Sequence, residues 1–237
     1  MGRCELGRGR TALRAGALKR ALVTGGTGKL GAALVEELRA EGWRVLGAGS
    51  RDGDLARAEA GRALVEWTIE ELGGLDVVVN GASAGFVAKP FAEVTEVDVD
   101  AALGATVKGS FFVTQAAAPH LRESRGLVVM IEDVAAFQPW PSFAAHCAAK
   151  AAQAMLTKAL AKALAPDVRV CGIAPGPVAV EAGEEERRAA ETLVGRVGTA
   201  RDVAGAIAFL ADAPFVTGAS LLVDGGRLLK TGSVGGA

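Results

Sequence analysis

The sequence contains no tyrosine. Any mechanism that needs a phenol as acid, base or nucleophile is therefore excluded at the outset. There are only two histidines, His120 and His146, and three cysteines, Cys4, Cys147 and Cys171. The cysteines are widely spaced and form no CxxC pair, which argues against a disulfide framework and against a cysteine-built zinc site. Two histidines are too few for a histidine-rich metal site, so no metal is expected. With 26 basic and 27 acidic residues the net charge is −1. That leaves no global electrostatic footprint for nucleic acid. No run of about 18 apolar residues is free of charge or glycine, so no membrane span is expected. A soluble protein of the cytoplasm is the resulting expectation.

What is present is a chain of 237 residues, half of them apolar and 22% charged. That is enough for a sizeable core and reads as one α/β domain. Met1 to Arg20 carries Arg3, Arg8, Arg10, Arg14, Lys19 and Arg20 against a single Glu5. Residues 1–19 read as a basic, solvated extension, although an Arg-rich, acid-poor start is also the composition of a transit peptide. The domain proper spans 20–229, and the Gly-rich 230–237 reads as a flexible tail.

From Arg20 onward, short apolar runs alternate with segments of helical period. Strands are predicted at Ala21–Val23, Trp43–Gly47, Leu75–Asn80, Gly126–Ile131, Val168–Ile173 and Ser220–Val223. Helices are predicted over Lys29–Ala40, Ala56–Leu72, Val99–Ala118 (ended by Pro119), Phe143–Leu164 and Arg201–Ala211, with a charged, solvated helix over Glu181–Glu191. Strand runs without alternation are buried on both faces, as in a parallel sheet covered by helices. The order gives a single doubly wound, Rossmann-type parallel sheet.

The first strand runs into Thr24-Gly25-Gly26-Thr27-Gly28-Lys29-Leu30-Gly31 and then a helix. Gly26, Gly28 and Gly31 fit GxGxxG in the strand–turn–helix context that gives this weak pattern its meaning. Glycines let the backbone approach a pyrophosphate, and the helix N-terminus offers unpaired N–H groups to it. Gly25, Thr27, Gly28, Lys29, Leu30 and Gly31 are the expected phosphate residues. The end of the second strand, Leu46 to Asp52, lacks a carboxylate near Gly49, where NAD binders place one for the ribose. Lys29, Ser50 and Arg51 suit a 2′-phosphate instead, so NADP(H) is favoured over NAD(H). Asp52 or Asp54 within reach of the 2′-hydroxyl keeps NAD open.

With these features in order, the sequence resembles the short-chain dehydrogenase/reductase family from about Lys19 to Leu229. Asn80-Gly81-Ala82-Ser83 is similar to the family's NNAG segment, Pro175-Gly176-Pro177-Val178 to its PG motif beside the nicotinamide, and Val223-Asp224-Gly225-Gly226 to its last strand. The resemblance implies cofactor contacts at Asn80, Gly81, Ala82, Pro175, Gly176, Val178 and Lys150. Compared with the family, the segment between strand two and the helix leading to the next strand is shortened, with only Gly49 to Ala56 as linker. Asp54-Leu55 resembles the end of the missing strand, beside adenine.

The family's chemistry rests on Tyr-x-x-x-Lys, two side chains on one helix face. The matching residues here are His146 and Lys150, with His146 in place of the tyrosine. Asp133 stands where the family usually has a serine, and Thr106 where it has an asparagine. The resemblance implies Asp133, His146 and Lys150 as catalytic residues. Imidazole is a competent proton donor at neutral pH, so an Asp133–His146 relay with Lys150 and Asn80 fixing the ribose is one reading. A decayed site in a nucleotide-binding partner subunit is the other. The pteridine reductase branch is similar in its aspartate at the Asp133 position, its Asn-Ala-Ser around Asn80–Ser83 and a basic residue in the glycine loop, as Lys29 is here, although it keeps the tyrosine. That partial resemblance implies NADPH-dependent reduction of a carbonyl or a pterin-like C=N, with Ser83, Phe86 and Asp133 against the substrate. It also implies a homo-dimer or tetramer through the Phe143–Leu164 helix. His120 is read as a helix-end residue without chemistry, Cys147 and Cys171 as core, and Glu132 as a second acid in the cleft or, more simply, a solvated loop residue.

Overall fold

The structure is a computed structural model that describes residues 18–85 and 88–230. Six parallel strands form one sheet: β1 (Arg20–Thr24), β2 (Arg44–Ala48), β3 (Val77–Asn80), β4 (Leu127–Ile131), β5 (Arg169–Pro175) and β6 (Ser220–Val223). Their spatial order is β2-β1-β3-β4-β5-β6. Alternate residues of each strand feed two cores. Ala21, Val23, Val77, Val79, Val129 and Ile173 face α1 (Lys29–Ala40) and α7 (Ala200–Ala211). Leu22, Val78, Val128, Met130 and Val170 face α2 (Ala58–Leu72), α4 (Gly109–Ser124) and α5 (Ala144–Leu164). Helices on both faces explain why the strands are apolar runs rather than alternating ones. Each fully buried Val or Leu stabilises the fold by roughly 1.5–3 kcal/mol.

The shortened segment is visible in the topology. Between β2 and α2 lies only a stretch with one 3-10 turn, Ser50–Asp52, and β2 stands at the edge of the sheet. The cleft beside β2 is consequently bounded by Gly49, Ser50, Gly53, Asp54 and Leu55 rather than by a further strand.

Two helices differ from expectation. The predicted helix over 99–118 is three pieces: α3 (Glu96–Leu103), a π-helical turn at Gly104–Lys108, and α4, which carries Pro119 inside it and runs on to Ser124. Thr95 starts α3 with a capping box in which Asp98 Oδ2 accepts from the Thr95 N–H at 2.9 Å. An interior proline costs about 3 kcal/mol, but Val113, Ala117 and Leu121 are fully buried on this helix, and that burial outweighs it. His120 therefore sits within α4 rather than at its end. The charged helix predicted over 181–191 is confined to α6 (Glu185–Ala189), preceded by Gly183 at φ 87°. Among the described residues, no helix is long and apolar enough to cross a membrane.

Candidate active site

One cleft of about 1210 Å³ runs along the carboxyl ends of the strands, where ligands bind in open α/β sheets. Its floor is the glycine loop. Gly25 has φ +72°, and a Cβ there would lie 2.7 Å from the Gly81 carbonyl oxygen. A Cβ on Gly31 would come within 2.1 Å of the Gly25 carbonyl oxygen. Only glycine lets these backbones close up. Gly28 is the N-cap of α1 and offers no side-chain cap, so the first N–H groups of α1 remain available to an anion. Gly25, Thr27, Gly28, Lys29, Leu30 and Gly31 all line the cleft. Thr24 Oγ1 ties this loop to the next, accepting from the N–H groups of Gly81 at 3.1 Å and Ala82 at 3.2 Å. The loop, the free helix end and the cleft volume fit a dinucleotide.

Gly81, Ala82, Ser83, Pro175, Gly176 and Val178 also line the cleft, as do Ser50, Asp54 and Leu55. Asn80 does not. It is buried, and its Nδ2 donates to Thr114 Oγ1 at 3.0 Å on α4. Its side chain braces the sheet against α4, and the backbone of the next two residues faces the cleft. Arg51 is exposed and outside the cleft lining, because the 3-10 turn carries it outward. Lys29 lies at the cleft but spans it: its ammonium donates to the Val180 carbonyl and lies 3.3 Å from Glu181 Oε1. Phe86 lies outside the described residues.

The catalytic candidates converge. Asp133, at the end of β4, caps a 3-10 turn by accepting from the Ala135 N–H through Oδ1 at 2.8 Å. This turns Oδ2 toward His146 Nε2, 3.3 Å away. One turn along α5, Lys150 is 4% exposed and donates to the Ile131 carbonyl at 2.7 Å and to Gln153 Oε1 at 3.1 Å. Burial pulls the Lys150 ammonium down to about 8, against the opposing fields of Asp133 and Glu132. Thr106 is buried in the π-helical turn, its hydroxyl 3.1 Å from Ser83 Oγ.

Several residues were not legible as site residues. Gln153 is fully buried and bridges Lys150 to Ser110, donating to Ser110 Oγ at 3.0 Å. Its only sequence signal is that it stands one turn after Lys150, on the helix face that also carries His146 and Thr157. Glu132 is not a solvated loop residue. It is 2% exposed, its Oε1 accepting from Thr157 at 2.7 Å and Ser220 at 3.1 Å. Gly172 on β5 makes the room, since a Cβ there would meet Glu132 Oε1 at 1.9 Å. Burial pushes the Glu132 carboxyl up. Trp140, Phe143, Arg188 and Arg227 wall the end of the cleft opposite Ser50 and Asp54. Cys171 is buried, as expected, and burial raises its thiol. Cys147 is only half-buried, its thiol 3.8 Å from the Trp140 carbonyl.

Comparison with known proteins agrees with this geometry. Residues 19–227 match the family model described as Enoyl-(Acyl carrier protein) reductase. The chain is 37% identical over 202 residues to tropinone reductase-like 3 of Erythroxylum coca, covering 81% of this chain and 77% of that one. It is 38% identical over 182 residues to the short-chain dehydrogenase/reductase SDRA of Arabidopsis thaliana, covering 73% and 71% respectively. Among solved structures, it superposes with a TM-score of 0.81 and 26% identity on a 3-ketoacyl-(acyl-carrier-protein) reductase from Brucella melitensis complexed with NADH, covering 88% of this chain and 98% of the other. The glycine loop, the parallel sheet and these relatives together place the chain in the short-chain dehydrogenase/reductase family of NAD(P)-dependent oxidoreductases.

Proposed function

We propose that the protein is an NADP(H)-dependent reductase of a carbonyl or pterin-like C=N bond, in which His146 paired with Asp133 replaces the family's tyrosine. The observation that carries this is the 3.3 Å contact between His146 Nε2 and Asp133 Oδ2, in the same cleft as Lys150 and the glycine loop. When bound, the nicotinamide supplies the hydride. The Gly25–Gly31 loop and the N-terminus of α1 would hold the pyrophosphate. Lys150 would hold the nicotinamide ribose, its ammonium kept in place by the Ile131 carbonyl and Gln153. Asp133 fixes the imidazole ring, and His146 delivers the proton to the substrate oxygen or nitrogen as the adjacent carbon is reduced.

The preference for the 2′-phosphate is supported by what the nearby carboxylates are doing. Asp52 Oδ2 accepts from the Gly49 N–H at 2.7 Å, and Asp54 Oδ1 from the Ala56 N–H at 3.0 Å. Each commits one oxygen to a backbone N–H of its own turn, which leaves it less able to hold a ribose hydroxyl. The same reading has the protein working in the cytoplasm as a homo-oligomer through α5, where Met155 is 62% exposed.

The test is saturable NADPH oxidation with a panel of carbonyl and dihydropterin substrates, alongside thermal-shift titrations with NADPH and NADH. Turnover that disappears in Lys150→Ala supports the reading. Binding of NADPH with no turnover by wild type, and turnover by His146→Tyr, would identify a nucleotide-binding partner subunit instead.

A further inference from the structure

We infer that the far end of the cleft is an organic-anion subsite, selecting substrates in which a flat ring carries a carboxylate, with Arg227 and Arg188 as its cationic groups and Trp140 as its platform. This rests on the reading of the cleft as a hydride-transfer site and names the substrate class it takes.

Arg227 opens the 3-10 turn after β6, and its guanidinium lies over the Trp140 ring, 4.9 Å from the centroid. Stacking of this kind fixes the plane of the guanidinium. Trp140 in turn meets Phe143 edge-on at 6.1 Å, and both aromatic rings line the cleft three to six residues before His146. Arg227 Nη2 lies 2.9 Å from Glu191 Oε2, and its other N–H groups meet no acceptor among the described residues.

Among the described residues, Arg187, Arg188 and Arg227 share Glu184 and Glu191 as ion-pair partners. Lys230, outside the cleft lining, donates to the carbonyls of Ala190 and Thr192. Glu181, on the cleft wall, is paired with Lys29. An incoming carboxylate would meet Arg227, which offers it a planar fork of donors, with Arg188 on the same cleft wall. A ring attached to that carboxylate would lie along Trp140 and Phe143, with its neighbouring carbonyl directed toward His146.

The probes are benzoylformate and its methyl ester, which share ring and ketone and differ in the charge. Each is titrated calorimetrically into wild type, Arg227→Met, Arg227→Lys and Arg188→Met, all in saturating NADP+ after NADP+ binding has itself been measured. The acid should bind wild type about tenfold or more tightly than the ester, the size of one charge-assisted hydrogen bond. That gap should close in Arg227→Met, persist in part in Arg227→Lys, and shrink with added salt, while ester binding stays the same. Equal affinity of acid and ester for wild type overturns the inference and needs no variant to fold. Reduction of the ester's ketone with NADPH in place of NADP+ in that case leaves the hydride-transfer reading standing. Failure to bind NADP+ overturns the reading instead, and the acid–ester gap measured on the protein alone still decides the anion subsite.

Discussion

His146 Nε2 and Asp133 Oδ2 lie 3.3 Å apart because Oδ1 of the same carboxylate is committed to the Ala135 N–H. One oxygen caps a turn and the other faces the imidazole, so the backbone at the end of β4 sets the orientation of the ring. Asp133→Ala is expected to lower kcat about 10²-fold or more, within the range for loss of a positioned acid–base partner. KM should change far less. Steady-state kinetics on wild type and variant check this, and an equal rise in KM with unchanged kcat would remove Asp133 from the proton chemistry.

Lys150 is expected to give the site a pH dependence. Its ammonium, drawn down to about 8 by burial, is charged below that pH and neutral above it. NADPH affinity should fall as pH rises through about 8 in wild type and be flat there in Lys150→Met. Stability runs the other way. A lysine whose folded value is depressed binds fewer protons folded than unfolded between about 8 and its ordinary value of about 10.4. Its contribution to stability therefore rises with pH across that window and is lost as pH falls through about 8. Denaturant unfolding at pH 7 and pH 9.5 would show the difference between wild type and Lys150→Met narrowing at the higher pH.

Gln153 separates positioning from packing. Its Oε1 accepts from the Lys150 ammonium at 3.1 Å, so it favours the charged form. Gln153→Leu should move the pH limb of NADPH binding downward, and Gln153→Glu should move it upward. Asp133 and Glu132 also act on Lys150 and are unchanged in both variants. Identical limbs in all three proteins would reduce Gln153 to a space-filling residue.

Glu132 is a buried carboxyl with Oε2 lacking a partner among the described residues. Its folded value is raised, so the stability it contributes is present below the ordinary carboxylate range and is lost as pH rises through the folded value. Glu132→Gln keeps the acceptor for Thr157 and Ser220 and removes the charge. The variant should be more stable than wild type at pH 8, by about 1–3 kcal/mol, and should lose that advantage at pH 4. Urea unfolding at the two pH values measures it.

The sheet was largely legible from sequence because its strands are apolar runs buried on both faces, with bounds set by glycine loops and amphipathic helices. The missing strand was legible too, since Gly49 to Ala56 is too short to hold one. The π-helical turn and the run of α4 past Pro119 were not, because they depend on packing that outweighs local propensity. The glycine loop, Asp133, His146 and Lys150 carry fixed spacings and could be placed in advance. Asn80 and Arg51 could not, since spacing says where a backbone goes but not which way a side chain turns from it. Gln153 was missed, and the burial of Glu132 was not foreseen, for a related reason. Their partners Thr157, Ser220 and Ser110 come from distant elements, and only the fold brings them together.

The central claim is that imidazole does the work of the absent phenol, and single-turnover NADPH oxidation tests it most directly. Enzyme preloaded with NADPH is mixed with a carbonyl substrate, and the hydride-transfer rate is followed across pH in wild type and His146→Ala. Measurable transfer is expected in wild type, slowed about 10²–10⁴-fold in His146→Ala with NADPH affinity retained. Equal rates in the two proteins would contradict it.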